Sequence, residues 1–323
     1  MGKKIAGVVF RLVVSVGIII YIFSNPDINL DETFATIRSI KLPWLIAALF
    51  TYKAALLIGS RRWQLLMKTH NMQVSYPVAL GLNYLGCFFN NFMLSLTGGD
   101  IVKAYYASKM TSSKKAEAAT IVFLDRLIGF SGLLILGVAG VLFGAGNERM
   151  HSAMIIVCGV ILIFVVLGFF AFNKNFARKL GKYFMGRKVG ETLRKVYNAV
   201  YFYKSSKSML VRALVFSVIV WTLLILVNFQ LARGLGMELR AGYFFAFIPV
   251  INIISSIPIT IAGWGLREQM YKQFFCPVGV DGEIAVSLSI AYALIMLLWS
   301  LVGGVLYALH LPRLTTQGGG KND

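Results

Sequence analysis

Seven ionisable residues lie inside or beside stretches apolar enough for a membrane interior: Lys53, Asp100, Lys103, Asp125, Arg126, Arg267 and Glu268. A charge at a bilayer centre costs at least about 2.5 to 3.5 kcal/mol on insertion scales, so each is expected to face the protein interior and find a partner or water. Asp125 and Arg126 are adjacent in "AATIVFLDRLIGFSGLLILG". Neighbouring residues on a helix diverge by about 100 degrees, so these two need partners from other segments. Lys53, in the middle of "WLIAALFTYKAALLIGS", has little escape to either surface. Lys53, Lys103, Arg126 and Arg267 could together hold an anionic group, with Asp100, Asp125 and Glu268 balancing, gating or coupling it. The competing reading is a buried ion-pair network that fixes helix packing.

Other chemistry has little support. Cys87, Cys158 and Cys276 lack pair spacing, His70, His151 and His310 are isolated, and neither a Walker loop nor a nucleophile elbow is present. No metal or cofactor is expected. An intramembrane enzyme using Asp100, Asp125 or Glu268 as acid or base remains an alternative without a nucleophile.

The elements that carry these charges follow from composition. The 323 residues are 58% hydrophobic and 14% charged, against roughly a quarter charged in soluble domains, so the chain belongs in a bilayer. Full spans of an all-α polytopic membrane protein are expected near residues 5–23, 43–62, 117–143, 153–172, 211–232 and 284–309. The first resembles a signal sequence but lacks a cleavage site, and reads as a retained span.

The net charge of +19 comes from cations that lie between apolar segments, which is positive-inside anchoring to anionic lipid rather than nucleic-acid binding. That rule places both termini, "RRWQLLMKTH" and "KAYYASKMTSSKK" on the cytoplasmic side. It does the same for the segment 173–208, a basic amphipathic connector between two halves of one domain spanning 1–323. The acidic segments around Asp31 and Glu32, and around Asp281 and Glu283, belong outside.

Two further apolar stretches, 76–97 and 243–262, end in glycine breaks. Residues 76–110 start and finish on the basic side and 243–275 start and finish on the acidic side, so each is expected to be a re-entrant hairpin. The hairpins open to opposite faces, as in inverted repeats. Gly98, Gly99, Gly263 and Gly265 permit the breaks, and Pro258 removes a backbone donor. Half-helices restarting near Asp100 and Leu266 would aim their positive ends at the breaks and attract anions, although Asp100 could equally cap its own helix.

"GGDIVKAYYASKMTSSKKAEAATIVFLDRLIGF" and "IPITIAGWGLREQMYKQFF", in that order, resemble the lysylphosphatidylglycerol synthase transmembrane, or flippase-like, domain family. The resemblance covers nearly the whole chain. It carries Gly98, Gly99 and Asp100, then Asp125 and Arg126, then Pro258, Gly263, Gly265, Arg267 and Glu268, and departs at Ser95 to Thr97, where relatives often have proline. It implies a stand-alone member that handles a phospholipid or glycolipid in the cell membrane. The synthase domain does not follow "HLPRLTTQGGGKND", so aminoacylation is not expected. The function expected is ATP-independent movement of an anionic lipid between leaflets; the alternative is a non-transporting partner of a lipid-synthesising enzyme.

Overall fold

The computed structural model describes residues 30–69, 72–92, 98–110, 115–144, 155, 159, 207–257, 260 and 263–314, and every regular element among them is helical. In chain order they are α1 (Leu30–Arg38), α2 (Leu42–Lys68), α3 (Tyr76–Phe92), α4 (Gly98–Met110), α5 (Lys115–Gly144), α6 (Lys207–Gly234), α7 (Ala241–Ser255), α8 (Leu266–Phe275) and α9 (Gly282–Leu314). A 3-10 turn, Cys276–Val278, separates α8 from α9.

Among the described residues, four stretches are long and apolar enough to cross a membrane: Leu42–Lys68, Thr120–Leu142, Ser208–Gly234 and Gly282–Leu309. They coincide with the expected spans at 43–62, 117–143, 211–232 and 284–309. The expected spans 5–23 and 153–172 and the connector 173–208 lie outside the described residues, apart from residues 155, 159, 207 and 208. Helix α2 runs past its expected end because "RRWQLLMK" continues the helix while changing composition.

The bundle has two distinguishable ends. The Lys41 amide donates to the Gly234 carbonyl at 3.1 Å, so α2 begins where α6 finishes. The Ser287 hydroxyl reaches the Thr33 carbonyl at 3.4 Å, which puts α1 and the start of α9 at this Gly234 end. At the opposite, Lys68 end, α2 and α4 finish and α3, α5 and α6 begin.

The two pairs of short helices are antiparallel hairpins. In the first, Lys103 of α4 meets Asn83 of α3 and Gly99 meets Asn90, so the chain returns to the Lys68 end. In the second, Phe274 and Phe275 of α8 pack on Phe247 of α7, and Phe275 also packs on Phe244. That pair returns to the Gly234 end. At about 1.5 Å per residue none of the four helices covers a hydrocarbon layer of about 30 Å.

The chain order thus gives α2, hairpin, α5 and then α6, hairpin, α9, with the second set running in the opposite direction. Helices α2 and α6 pack side by side, and each hairpin leans on the other set: α7 on α5 and α3 on α9. These crossings are backbone-close. Gly140 lets α5 lie on the Phe245 carbonyl, which Pro249 leaves without its intrahelical donor. Gly303 likewise lets α9 lie on the Tyr84 carbonyl.

Two larger apolar cores are found among the described residues. One centres on Phe244, Phe247, Tyr271 and Phe275. The other, toward the Lys68 end, contains Trp63, Leu66, Met67, Leu82 and Ile121.

Candidate functional site

The first polar cluster is assembled where α2, α3, α4, α5 and α6 meet. Asp125 is its hub: Arg62 Nε donates to Asp125 Oδ1 at 2.9 Å, and Lys103 Nζ lies 3.7 Å from Oδ2. Lys103 is 5% exposed. It also donates to Asn83 Oδ1 at 3.2 Å and stands over the Trp63 ring, 4.4 Å from its centroid. Arg62 Nη1 donates to Ser217 Oγ at 3.1 Å, whose hydroxyl donates onward to the Ile128 carbonyl. The Asn83 amide nitrogen donates to Ser60 Oγ at 3.0 Å, and Ser60 donates to the Leu56 carbonyl. Counted along the helices at about 1.5 Å per residue, these groups lie about 9 to 15 Å from the Lys68 end.

The acceptors in this cluster are already engaged, whereas one buried donor is left over among the described residues. Trp63 Nε1–H is buried and has no acceptor among the described residues. Beside the cluster, Arg126 donates through Nε to Asp100 Oδ2 at 2.6 Å, with side-chain exposures of 38% and 17%. Asp125 and Arg126 therefore take their partners from α2, α4 and, for Arg126, the restart of α4, as their divergence on one helix requires.

The second cluster is closed on itself. The Gly265 amide donates to Glu268 Oε2 at 2.7 Å, while Glu268 Oε1 accepts from Arg267 Nη2 at 3.0 Å and from Ser289 Oγ at 2.9 Å. Arg267 Nε reaches Ser289 Oγ at 3.1 Å, and the guanidinium stands over Trp264. Arg267 and Glu268 are 6% and 4% exposed. Nearby, the Tyr271 hydroxyl donates to Asn228 Oδ1 at 2.6 Å. This cluster lies about 9 to 12 Å from the Gly234 end by the same helical rise.

Both restarting half-helices carry their carboxylate as third residue, Asp100 in α4 and Glu268 in α8. Gly263 and Gly265 have φ of +80° and +82°, in the left-handed region that favours glycine, which turns the chain into α8. The expectation that the α8 amides attract an outside anion is answered by Glu268, which occupies that position itself. At α4 the Gly99 amide is likewise taken, donating to Asn90 Oδ1 at 2.9 Å. Pro258 lies outside the described residues.

Lys53 differs from expectation. It is exposed, with its ammonium 5.5 Å from the centroid of the Trp299 ring, and Arg62 lies nine positions further along α2, about 13 Å along the axis. Its long stem lets a cation leave the interior and settle on an aromatic face.

Arg62 was not among the expected site residues, because "RRWQ" reads as the basic flank of a span; its neighbour Arg61 does behave so, stacking 3.8 Å from the Tyr76 ring centroid. Asn83, Trp63 and Ser217 were also missed, being isolated polar or aromatic residues with no spacing signal. No group of His, Cys, Asp and Glu fit to hold a metal ion occurs among the described residues.

The chain is similar to a UPF0104 membrane protein of Pyrococcus horikoshii, 22% identical over 309 residues that cover 86% of this chain and 90% of that one. It is also similar to a UPF0104 membrane protein of Methanocaldococcus jannaschii, 20% identical over 310 residues, covering 91% and 92%. Residues 8–304, which hold both clusters and both hairpins, match one family throughout, and the chain belongs to it: the lysylphosphatidylglycerol synthase TM region.

Proposed function

We propose that this membrane protein is an ATP-independent lipid transporter, moving an anionic phospholipid or glycolipid headgroup between the leaflets of the cell membrane. The observation that carries this reading is a pair of cations, the buried Lys103 and the half-buried Arg62, sharing the carboxylate of Asp125 inside the bundle. Two cations and a surplus indole donor suit an oxyanion better than they suit each other. Hairpins opening to opposite ends supply the two mouths that alternating access needs. The positive-inside rule supports a cytoplasmic Lys68 end, the side on which the sequence leads one to expect both termini. The partners this reading implies are membrane lipids; a lipid-synthesising enzyme is the partner of the alternative, non-transporting reading.

Purified protein in liposomes tests the proposal through leaflet exchange of a fluorescent anionic phospholipid. Exchange is expected to rise above that of empty vesicles and to fall about tenfold or more in Arg62→Ala and Lys103→Ala, the factor that corresponds to 1.4 kcal/mol. Lys53→Ala is expected to retain exchange. Wild-type protein that leaves the rate at the empty-vesicle level overturns the proposal.

A further inference from the structure

The charge balance of the first cluster suggests what kind of anion it takes. Among the described residues, Arg62 and Lys103 face Asp125 and leave one formal positive charge uncompensated. The adjacent Arg126–Asp100 pair cancels. Asn83, Ser60, Ser217 and Trp63 complete the surroundings and are neutral. Arg61 is directed away, held by Tyr76 and by Gln64 Oε1 at 3.1 Å.

We infer that the site is matched to a single negative charge on a phosphodiester, and that Asp125 sets this preference. The inference rests on reading the cluster as a headgroup site. A phosphodiester brings one charge and two free oxygens, which leaves this largely desolvated cluster neutral and offers an acceptor to Trp63 Nε1–H, which lacks one. A phosphomonoester carries about 1.5 to 2 negative charges at neutral pH and would leave net negative charge buried. Asp125 thus acts by subtraction, consuming one of two cations so that the remainder equals one. Its geometry fits that task, since it touches both cations while standing on α5, outside the hairpin that carries Lys103.

The test uses two probes that differ by one methyl group and about one charge: dioleoyl phosphatidylmethanol, a phosphodiester, and dioleoyl phosphatidic acid, a phosphomonoester. Equilibrium binding of each to the detergent-solubilised full chain is measured at pH 8, above the second phosphate pKa of about 6. Dioleoylglycerol hemisuccinate, a singly charged carboxylate, is the third arm. Wild type is expected to bind the diester at least about tenfold tighter than the monoester, and tighter than the carboxylate, which lacks the phosphate geometry. Asp125→Asn keeps the shape, raises the spare charge to two, and is expected to shift the diester-to-monoester ratio by about tenfold toward the monoester.

Lys103→Gln removes the spare charge, and is expected to weaken both phosphates while narrowing the difference between them. It provides the reading should Asp125→Asn fail to give a monodisperse, folded protein. Equal wild-type affinities for the two phosphates, or ratios unmoved in the folded variants, overturn the charge matching and leave the headgroup site standing. A carboxylate bound as tightly as the diester overturns the phosphodiester assignment. Failure to bind any of the three lipids overturns both readings.

Discussion

Glu268, buried, and Asp125, half-buried, are both carboxylates held by cations, yet their surroundings give them different work. Glu268 accepts from a backbone amide, a guanidinium and a hydroxyl, and its partner Arg267 is 6% exposed. Removing one member of a buried ion pair strands the other, at a cost of about 3 to 5 kcal/mol. Glu268→Ala is therefore expected to lower thermal stability in detergent by an amount of that order, read by loss of the monodisperse peak after graded heating. A variant as heat-resistant as wild type would show that Arg267 finds another partner. The sequence made the charged residues legible because each interrupts apolar surroundings. It did not reveal which pairs close on themselves, since Arg267 and Glu268 are adjacent and adjacent residues diverge on a regular helix; they meet because they stand in its first turn, where the chain has only just turned. Arg62 stayed hidden for the converse reason: α2 continues beyond it to Lys68, so a residue that looks like a flank is inside.

At the scale of elements, four long helices and two hairpins were legible from apolar length, glycine breaks and the alternation of basic and acidic connections. The short helix α1 was not, because LDETFATIR has neither the length nor the hydropathy of a span. Its attachment to α9 carries a pH dependence. The exposed Glu32 carboxyl shares a hydrogen bond with Glu283, and that bond, followed by the Glu283 charge, raises its pKa above the ordinary carboxylate value. Because the folded pKa is the higher one, the attached state binds more protons than the detached state. The contact is accordingly strongest below the ordinary range and weakens as pH rises through the raised pKa. Amide hydrogen exchange over Leu30–Arg38, corrected for intrinsic rates, is expected to show less protection above that window, and Glu32→Gln is expected to flatten the profile. Protection that increases with pH would contradict the assignment.

For the molecule as a whole, the opposed hairpins make a statement about sidedness that the sequence reached from charge alone. Single cysteines at Lys109 and Asp281, in a background where the native cysteines are replaced, are expected to react with impermeant reagents from opposite faces of the membrane. Labelling of both from one face would refute the arrangement. What could not be read beforehand is the way the two sets interlock, because glycines packed on carbonyls of distant segments leave no mark in local periodicity. That interlocking bears on how the protein is made. The first hairpin leans on α9 where Gly303 meets Tyr84, so its resting surface leaves the ribosome only after roughly two hundred further residues, at about 5 to 20 residues per second. Until then α5 alone can supply ionic partners to Asp100 and Lys103, through Arg126 and Asp125. Ion pairing to α5 and packing on α2 thus precede packing on α9 in the life of the chain, and a message cut short before α9 would leave the hairpin with its charges met and one face bare.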